Sequence, residues 1–126
     1  MENLIIESTT YTPNINFDAV HGELSIKGKS YPENTFEFYK PVNEWIIEYF
    51  ESTPNKNINI QLDLEYLNSS SLKAYFDMFD CFEEAQNLGK VIEVKWLYDS
   101  EDDITEETGE DFIEDFQGLN IKLVVK

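Results

Sequence analysis

The segment that decides the fold runs from Asn57 to Lys73 and reads NINIQLDLEYLNSSSLK. Its first part alternates strictly, and the apolar positions are Ile58, Ile60, Leu62, Leu64 and Tyr66. Side chains alternate between faces along a strand, so this pattern predicts a strand with one buried face. An Asn-Ser-Ser-Ser run then leads into apolar residues at helical spacing, which predicts that a helix follows the strand.

The run from Asn68 to Ser71 lies where the predicted strand passes into the predicted helix. Asn and Ser are preferred helix N-caps, because the first turn of a helix has backbone N–H groups without partners. The run can therefore cap the helix, or it can present a phosphate acceptor at the helix N-terminus. The two roles are compatible, since different residues can fill them.

The rest of the chain alternates between the two periodicities. The predicted strands are Leu4–Ile6, Ile15–Phe17, Glu23–Lys27, Ile92–Tyr98 and Ile121–Val125. Three helices are predicted. The first lies between Ser30–Pro32 and Ser52–Asn55, the second follows the serines and stops at Gly89, and the third is Glu106–Phe116. Pro41 predicts a kink or a new first turn in the first helix. A short turn joins Ile15–Phe17 to Leu24–Ile26 and predicts a hairpin.

This order predicts a mixed α/β fold with a mostly parallel sheet and an edge hairpin. Parallel strands that are covered on both faces are apolar throughout, whereas these strands alternate. Their polar positions are Lys27, Gln61, Asp63, Glu65, Glu93, Lys95 and Lys122. We therefore expect the helices mainly on one face of the sheet, in a single domain that spans residues 1–126.

The charge of the chain excludes several classes of partner. Its 126 residues include 26 acidic and nine basic side chains, for a net charge of −17. Such a chain is repelled by nucleic acids and by anionic membranes. All nine basic residues are lysines, whereas enzymes that bind phosphate groups usually use arginine. The composition therefore argues against a phosphate-binding enzyme. With neither a secretory signal nor an apolar run of membrane-spanning length, the sequence predicts a cytoplasmic protein without membrane insertion.

No motif in the sequence predicts catalysis, a cofactor or a metal. The acidic run Asp99–Asp103, with Glu110 twelfth in order, resembles a calcium loop, but Ile104 stands where the sharp turn requires glycine. We interpret the run as a solvated loop before a helix N-terminus. His21, the only histidine, is predicted to be a hairpin-turn residue, and Cys81, the only cysteine, a small buried apolar residue.

Aromatic and apolar residues are expected close to the serine junction. They form a contact surface for a partner if they are exposed, and core if they are not. The predicted partner-binding residues are Tyr39, Tyr66, Leu67, Asn68, Ser70 and Lys73.

Six stretches together resemble one family. They are GELSIKGKSYPEN (22–34), EFYKPVNEW (37–45), LEYLNSSSLK (64–73), VKWLYDSEDD (94–103) and GEDF (109–112), after MENLIIEST at the N-terminus. The chain resembles the SiaC-family regulatory phosphoproteins from Met1 to about Phe116. These small bacterial proteins have a fold similar to that of anti-sigma-factor antagonists, so the resemblance implies a STAS-like sheet.

The resemblance implies a partner-switching role. A Ser/Thr kinase phosphorylates such a protein, a PP2C-type phosphatase reverses the reaction, and the unmodified form activates a diguanylate cyclase in cyclic-di-GMP and biofilm signalling. The acceptor in the family directly follows the junction Asn, which corresponds to Ser69 here, with Ser70 and Ser71 as the alternatives. Threonine is common at that position, and serine keeps the hydroxyl chemistry.

Two other functions compete with the switch. A constitutive scaffold would use the serines only as a helix cap. A small-molecule or metal-binding enzyme would use the exposed sheet face with Asp63 or Glu65. For the switch, Lys73 is the nearest counter-charge to a phosphate on Ser69, and such a phosphate is expected to prevent docking over Tyr66–Ser71.

Overall fold

The computed structural model describes residues 1–126. Its strands are β1 (Leu4–Ile6), β2 (Asn14–Asp18), β3 (Glu23–Ser30), β4 (Asn57–Leu67), β5 (Val91–Tyr98) and β6 (Asn120–Val125). Its helices are α1 (Thr35–Ser52), α2 (Ser69–Asn87) and α3 (Asp103–Asp115).

The six strands form one sheet in the order of the chain, β1-β2-β3-β4-β5-β6. β1, β2 and β3 pair antiparallel, and β3 to β6 pair parallel. The predicted hairpin is confirmed, with Ile15 opposite Ile26 and Phe17 opposite Leu24. Parallel crossovers are right-handed, so three successive crossovers in one direction place all three helices on the same face. The predicted fold class is therefore confirmed.

β4 lies at the centre of the core. Ile58, Ile60, Leu62 and Leu64 are at most 3% exposed, whereas Asn57, Asn59 and Gln61 on the opposite face are exposed. The strict alternation of this strand is thus explained by helices on one side and solvent on the other.

The alternation ends at a bulge before the serine junction. Gly28 of β3 is opposite Leu64, but Lys29 is opposite Tyr66, so Glu65 is an extra residue in β4. An extra residue reverses the alternation of faces beyond it. Leu67 consequently packs against the core, and Tyr66, predicted on the apolar face, is 52% exposed.

α1 continues through Pro41 instead of starting a new helix there. Asn34 caps it, and the Asn34 side chain accepts a hydrogen bond from the Glu37 N–H at 3.0 Å. One apolar stripe is buried along the whole helix: Tyr39, Val42, Trp45, Ile46 and Tyr49. Burial of this stripe outweighs the one backbone hydrogen bond that proline cannot make.

α3 approaches the sheet at Gly109, where a Cβ atom would lie 2.6 Å from both Leu123 Cδ2 and Trp96 Cδ1. The Trp96 ring is rigid and buried, so it cannot move aside. We expect Gly109→Ala to lower the free energy of unfolding by about 1–3 kcal/mol through overpacking, although alanine favours helices. Urea denaturation measures this effect. Gly118→Ala is the control, since its Cβ would meet its nearest atom at 3.7 Å, and an equal loss in both variants would contradict the prediction.

Candidate functional site

The serine junction lies at the edge of the sheet where the parallel strands end. β4 ends at Leu67, and α2 begins at Ser69. Asn68 is the N-cap of α2, because its side-chain oxygen accepts a hydrogen bond from the Ser71 N–H at 2.9 Å. The backbone N–H of Asn68 also donates to the Ser30 carbonyl oxygen, which holds the junction against the end of β3. The cap is therefore an asparagine, and none of the serines is needed for it.

The three serines have different environments. Ser69 is exposed, and its hydroxyl makes no hydrogen bond within the protein. Ser70 is exposed, but its Oγ lies 2.7 Å from Thr35 Oγ1 and donates to Asn68 Oδ1 at 3.3 Å. Ser71 is completely buried. A kinase cannot reach a buried hydroxyl in the folded protein, which removes Ser71 from the predicted alternatives.

Ser71 belongs to a chain of buried hydroxyl groups beneath the junction. Ser30 Oγ lies 2.7 Å from Ser71 Oγ and 2.6 Å from the Tyr39 hydroxyl, which donates to the Tyr75 hydroxyl at 3.1 Å. Each hydroxyl carries one proton, so Ser30 donates to Tyr39 and Ser71 donates to Ser30. Burial raises the pKa of Tyr39 and raises the pKa of Tyr75 well above its ordinary value. The chain therefore stays neutral and joins β3, α1 and α2.

The N-termini of α1 and α2 lie side by side at this edge. The hydrogen bond between Thr35 and Ser70 joins the first turns of the two helices. Both helices have asparagine N-caps, and both direct the positive end of their backbone dipole to the same side of the molecule. This arrangement favours a negative charge beside Ser69, such as a phosphate group.

Three exposed apolar side chains lie near the accessible serines. Phe36 follows Thr35 and is 77% exposed, and Tyr66 is 52% exposed. Ile104, at the start of α3, is 78% exposed and lines a cavity that Tyr66, Leu67 and Leu72 also line. We call Phe36, Tyr66, Ser69, Ser70 and Ile104 the corner surface. Exposed apolar residues grouped in this way are typical of protein-binding surfaces.

Comparison with known proteins identifies the family. A model of the SiaC family regulatory phosphoproteins matches residues 6–126. The chain belongs to the SiaC family. Its members are regulatory phosphoproteins, so the chain is a regulatory protein and not an enzyme, as predicted.

Individual SiaC-family relatives agree with this. An uncharacterized protein of Pseudomonas aeruginosa (strain UCBPP-PA14) is 39% identical over 115 residues, which cover 91% of this chain and 90% of that protein. The structure of SiaC of Pseudomonas aeruginosa is 34% identical and matches with a TM-score of 0.92 over all of both chains. A crystal structure of the diguanylate cyclase SiaD with its activator SiaC matches at 34% identity and a TM-score of 0.91, over 98% of this chain and 99% of that one.

The predicted partner-binding residues of this SiaC-family chain differ in how deeply they are buried. Ser70 and Tyr66 lie on the corner surface, and Lys73 is exposed without an ion pair. Leu67 and Asn68 are half-buried and support the junction. Tyr39 requires a correction, because it is only 1% exposed. Its ring lies on the buried stripe of α1, so it supports the junction from below and cannot contact a partner.

Sequence reasoning missed two residues of the corner surface, Phe36 and Ile104. Phe36 lies within the predicted first helical region, but its spacing from Val42 and Trp45 places it off the buried stripe of α1. Ile104 was considered only as the residue that breaks the calcium pattern. In both cases the available signal was an isolated apolar residue in the first turn of a helix.

The acidic run before α3 serves as a helix cap. Asp102 Oδ1 accepts a hydrogen bond from the Thr105 N–H at 3.0 Å, and Asp102 Oδ2 accepts one from Thr105 Oγ1 at 2.7 Å. These hydrogen bonds lower the pKa of Asp102. α3 therefore begins at Asp103, three residues before the predicted Glu106. No three His, Cys, Asp or Glu side chains are arranged to hold a metal ion.

On the exposed sheet face, Asp63 is paired and nearly buried. It is 7% exposed, and its Oδ1 accepts a hydrogen bond from Lys126 Nζ at 2.8 Å. This bond raises the pKa of Lys126. Of the two carboxylates that an enzyme on this face would have used, Asp63 is thus already occupied and Glu65 is exposed.

The remaining singled-out residues lie away from the corner surface. His21 is in the hairpin turn, as predicted, with Nδ1 2.8 Å from Asp18 Oδ2, a bond that lowers the pKa of Asp18. Cys81 is half-buried between α1 and α2. None of the helices is both long enough and apolar enough to cross a membrane.

Proposed function

We propose that this chain is a partner-switching protein controlled by reversible phosphorylation of Ser69. A Ser/Thr kinase adds the phosphate, and a PP2C-type phosphatase removes it. The unmodified form binds an effector through the corner surface. The observation that carries the proposal is the position of Ser69, an exposed serine with a free hydroxyl on an apolar surface at two helix N-termini.

The effector is a diguanylate cyclase. SiaC, which shares the fold and 34% of its residues with this chain, is the activator of the diguanylate cyclase SiaD and forms a complex with it. The corner surface offers exposed aromatic side chains, Phe36 and Tyr66, and tyrosine is among the residues that contribute most to binding energy in protein interfaces.

A phosphate would change the corner surface strongly. It adds a charge of roughly −2 at pH 7 among apolar side chains. The adjacent helix N-termini stabilise this charge in the free protein by roughly 0.3–1 kcal/mol, and Lys73, one turn along α2, is unpaired and can approach it. A docked effector would have to exclude water from the same charge. Phosphorylation therefore favours the free form.

Mass-spectrometric phosphopeptide mapping of the protein from its native host tests the proposal. We expect phosphate on Ser69, at a level that changes with growth condition. Incubation with a PP2C-type phosphatase should remove it. A Ser69 that is unmodified in every condition, with full peptide coverage, would favour the constitutive scaffold.

Ser69→Ala is a suitable non-phosphorylatable variant for these experiments. Because Asn68 provides the cap and the Ser69 hydroxyl is free, the unfolding free energy should change by less than about 0.5 kcal/mol. Any loss of regulation in this variant would then come from the missing acceptor and not from a weakened helix.

A further inference from the structure

A second apolar surface lies between the C-terminal halves of α1 and α2. It is a groove of about 380 Å³ whose floor consists of Ile47, Phe50, Cys81, Ala85 and Leu88. Ile47 is 47% exposed and Leu88 is 82% exposed, so the groove is open to solvent. Burial raises the pKa of Cys81, and the floor is therefore uncharged.

Carboxylates follow both helices beside this groove, and Glu51 and Glu84 line it directly. α1 carries Glu44, Glu48 and Glu51, and α2 carries Asp77, Asp80 and Glu84, all exposed. These spacings of three and four residues place each set in one row along its helix. Only Glu44 has a cation within reach, Lys40 at 3.9 Å. The groove is thus apolar at its floor and acidic at its rim.

The ends of the two helices add to this negative potential. α1 and α2 both connect parallel strands, so they run in the same direction and their C-termini lie at the same end of the groove. Neither helix has a basic residue in its last turn, and a helix C-terminus carries partial negative charge. Lys90, which also lines the groove, offsets part of this potential at the end of α1, where its Nζ donates to the carbonyl oxygens of Thr53 and Asn55, each at 2.8 Å.

We propose that this groove binds an amphipathic helix of a partner protein, with an apolar stripe on the floor and lysine or arginine flanks against the rim. An apolar groove between two helices matches the helix-in-groove mode of recognition. A second copy of this chain is a poor occupant, since its net charge is −17 and α1 and α2 carry one lysine each. The charge of the rim therefore selects a basic partner.

This surface is independent of the corner surface. The groove-lining residues of α2 begin at Cys81, about 18 Å from Ser69, and even the nearest rim carboxylate, Asp77, is eight residues away, or about 12 Å at 1.5 Å per residue. That distance exceeds the screening length of about 8 Å at physiological salt. Binding in the groove should therefore not respond to phosphorylation of Ser69, and the inference does not depend on the proposed function.

Fluorescence anisotropy with a labelled synthetic peptide tests the groove. The probe has about 18 residues, with leucines at i, i+3, i+4 and i+7 and lysines on the other face. A peptide of the same composition without the leucine stripe is its control. We expect the full chain to bind the striped peptide at least about tenfold more tightly than the control peptide in about 150 mM salt.

Variants of the full chain localise the binding. Leu88→Glu should weaken binding of the striped peptide at least about tenfold, and Leu88 is exposed enough for the variant to fold. A double charge reversal at the rim, Glu51→Lys with Glu84→Lys, should weaken it similarly and flatten its salt dependence. Ile104→Glu, an equally exposed site on the corner surface, and Ser69→Asp should leave the affinity within about twofold. Equal binding of the two peptides, or an unchanged affinity in Leu88→Glu, would overturn the proposal.

Discussion

Phosphorylation of Ser69 is expected to weaken binding of the diguanylate cyclase at least about 100-fold. Ser69 shares the corner surface with Phe36, Tyr66 and Ile104, which an effector must cover to gain apolar contact. Covering the phosphate would leave a desolvated charge without a sufficient partner, at a cost of about 3–5 kcal/mol. Since each 1.4 kcal/mol corresponds to about a tenfold change in affinity, even the lower value gives a loss of about 100-fold.

Isothermal titration of the host's diguanylate cyclase with unmodified, kinase-phosphorylated and Ser69→Asp protein measures this loss. The aspartate in Ser69→Asp carries about half the charge of a phosphate, so this variant should lose less affinity for the cyclase than the phosphorylated protein does. The matched control is Ser52→Asp, which adds the same charge to an exposed serine at the opposite end of α1 and should bind normally. Equal affinity of the phosphorylated and unmodified proteins would disprove the switch.

A second large effect, on the stability of the fold, is expected at Ser71. Ser71→Asp should lower the free energy of unfolding by about 3–5 kcal/mol, because Ser71 is completely buried and an aspartate there would be an unpaired buried charge. The hydroxyl chain offers it a hydrogen bond from Ser30 but no cation. The substitution would also break the order of donors from Ser71 to Tyr75.

Urea denaturation of three variants separates the effect of charge from that of position. Ser69→Asp adds the same charge at an exposed helix N-terminus, where the dipole favours it, so its stability should stay within about 0.5 kcal/mol of the parent. Ser71→Ala removes one buried hydrogen bond and should cost about 1 kcal/mol. If Ser71→Asp changed the free energy of unfolding as little as Ser69→Asp, residue 71 would be accessible to solvent, and the burial seen in the structure would be contradicted.

Much of the fold was predictable because local patterns determined it. The alternation of Ile58 to Leu64 specified a strand with one buried face, and the polar partners of those residues indicated that the helices cover one side. The hairpin register followed from matching apolar positions in β2 and β3. Of the two outcomes predicted for Pro41, a new first turn is excluded, because burial of a stripe that extends along the whole helix outweighs the one backbone hydrogen bond that proline cannot make.

The position of the candidate site was also predictable, but its composition was not. The Asn-Ser-Ser-Ser run identified the strand-to-helix junction, and its resemblance to the SiaC family selected Ser69. Which hydroxyls are exposed depends on contacts with residues that are distant in the sequence. Ser71 is buried because Ser30, 41 residues earlier, lies beside it, and Ser70 is joined to Thr35, 35 residues earlier.

The sequence by itself therefore determined the element order, the single buried face of the sheet, the acidic surface and the junction that carries the serines. Periodicity and charge are properties of neighbouring residues, so the sequence alone is sufficient for them. The tertiary structure alone decided that Tyr39 is buried, that Tyr66 turns outward after the Glu65 bulge, and that Phe36 and Ile104 join the corner surface. These outcomes depend on how β3, β4 and the N-termini of three helices meet at one edge of the sheet, and packing between distant segments leaves no local pattern in the sequence.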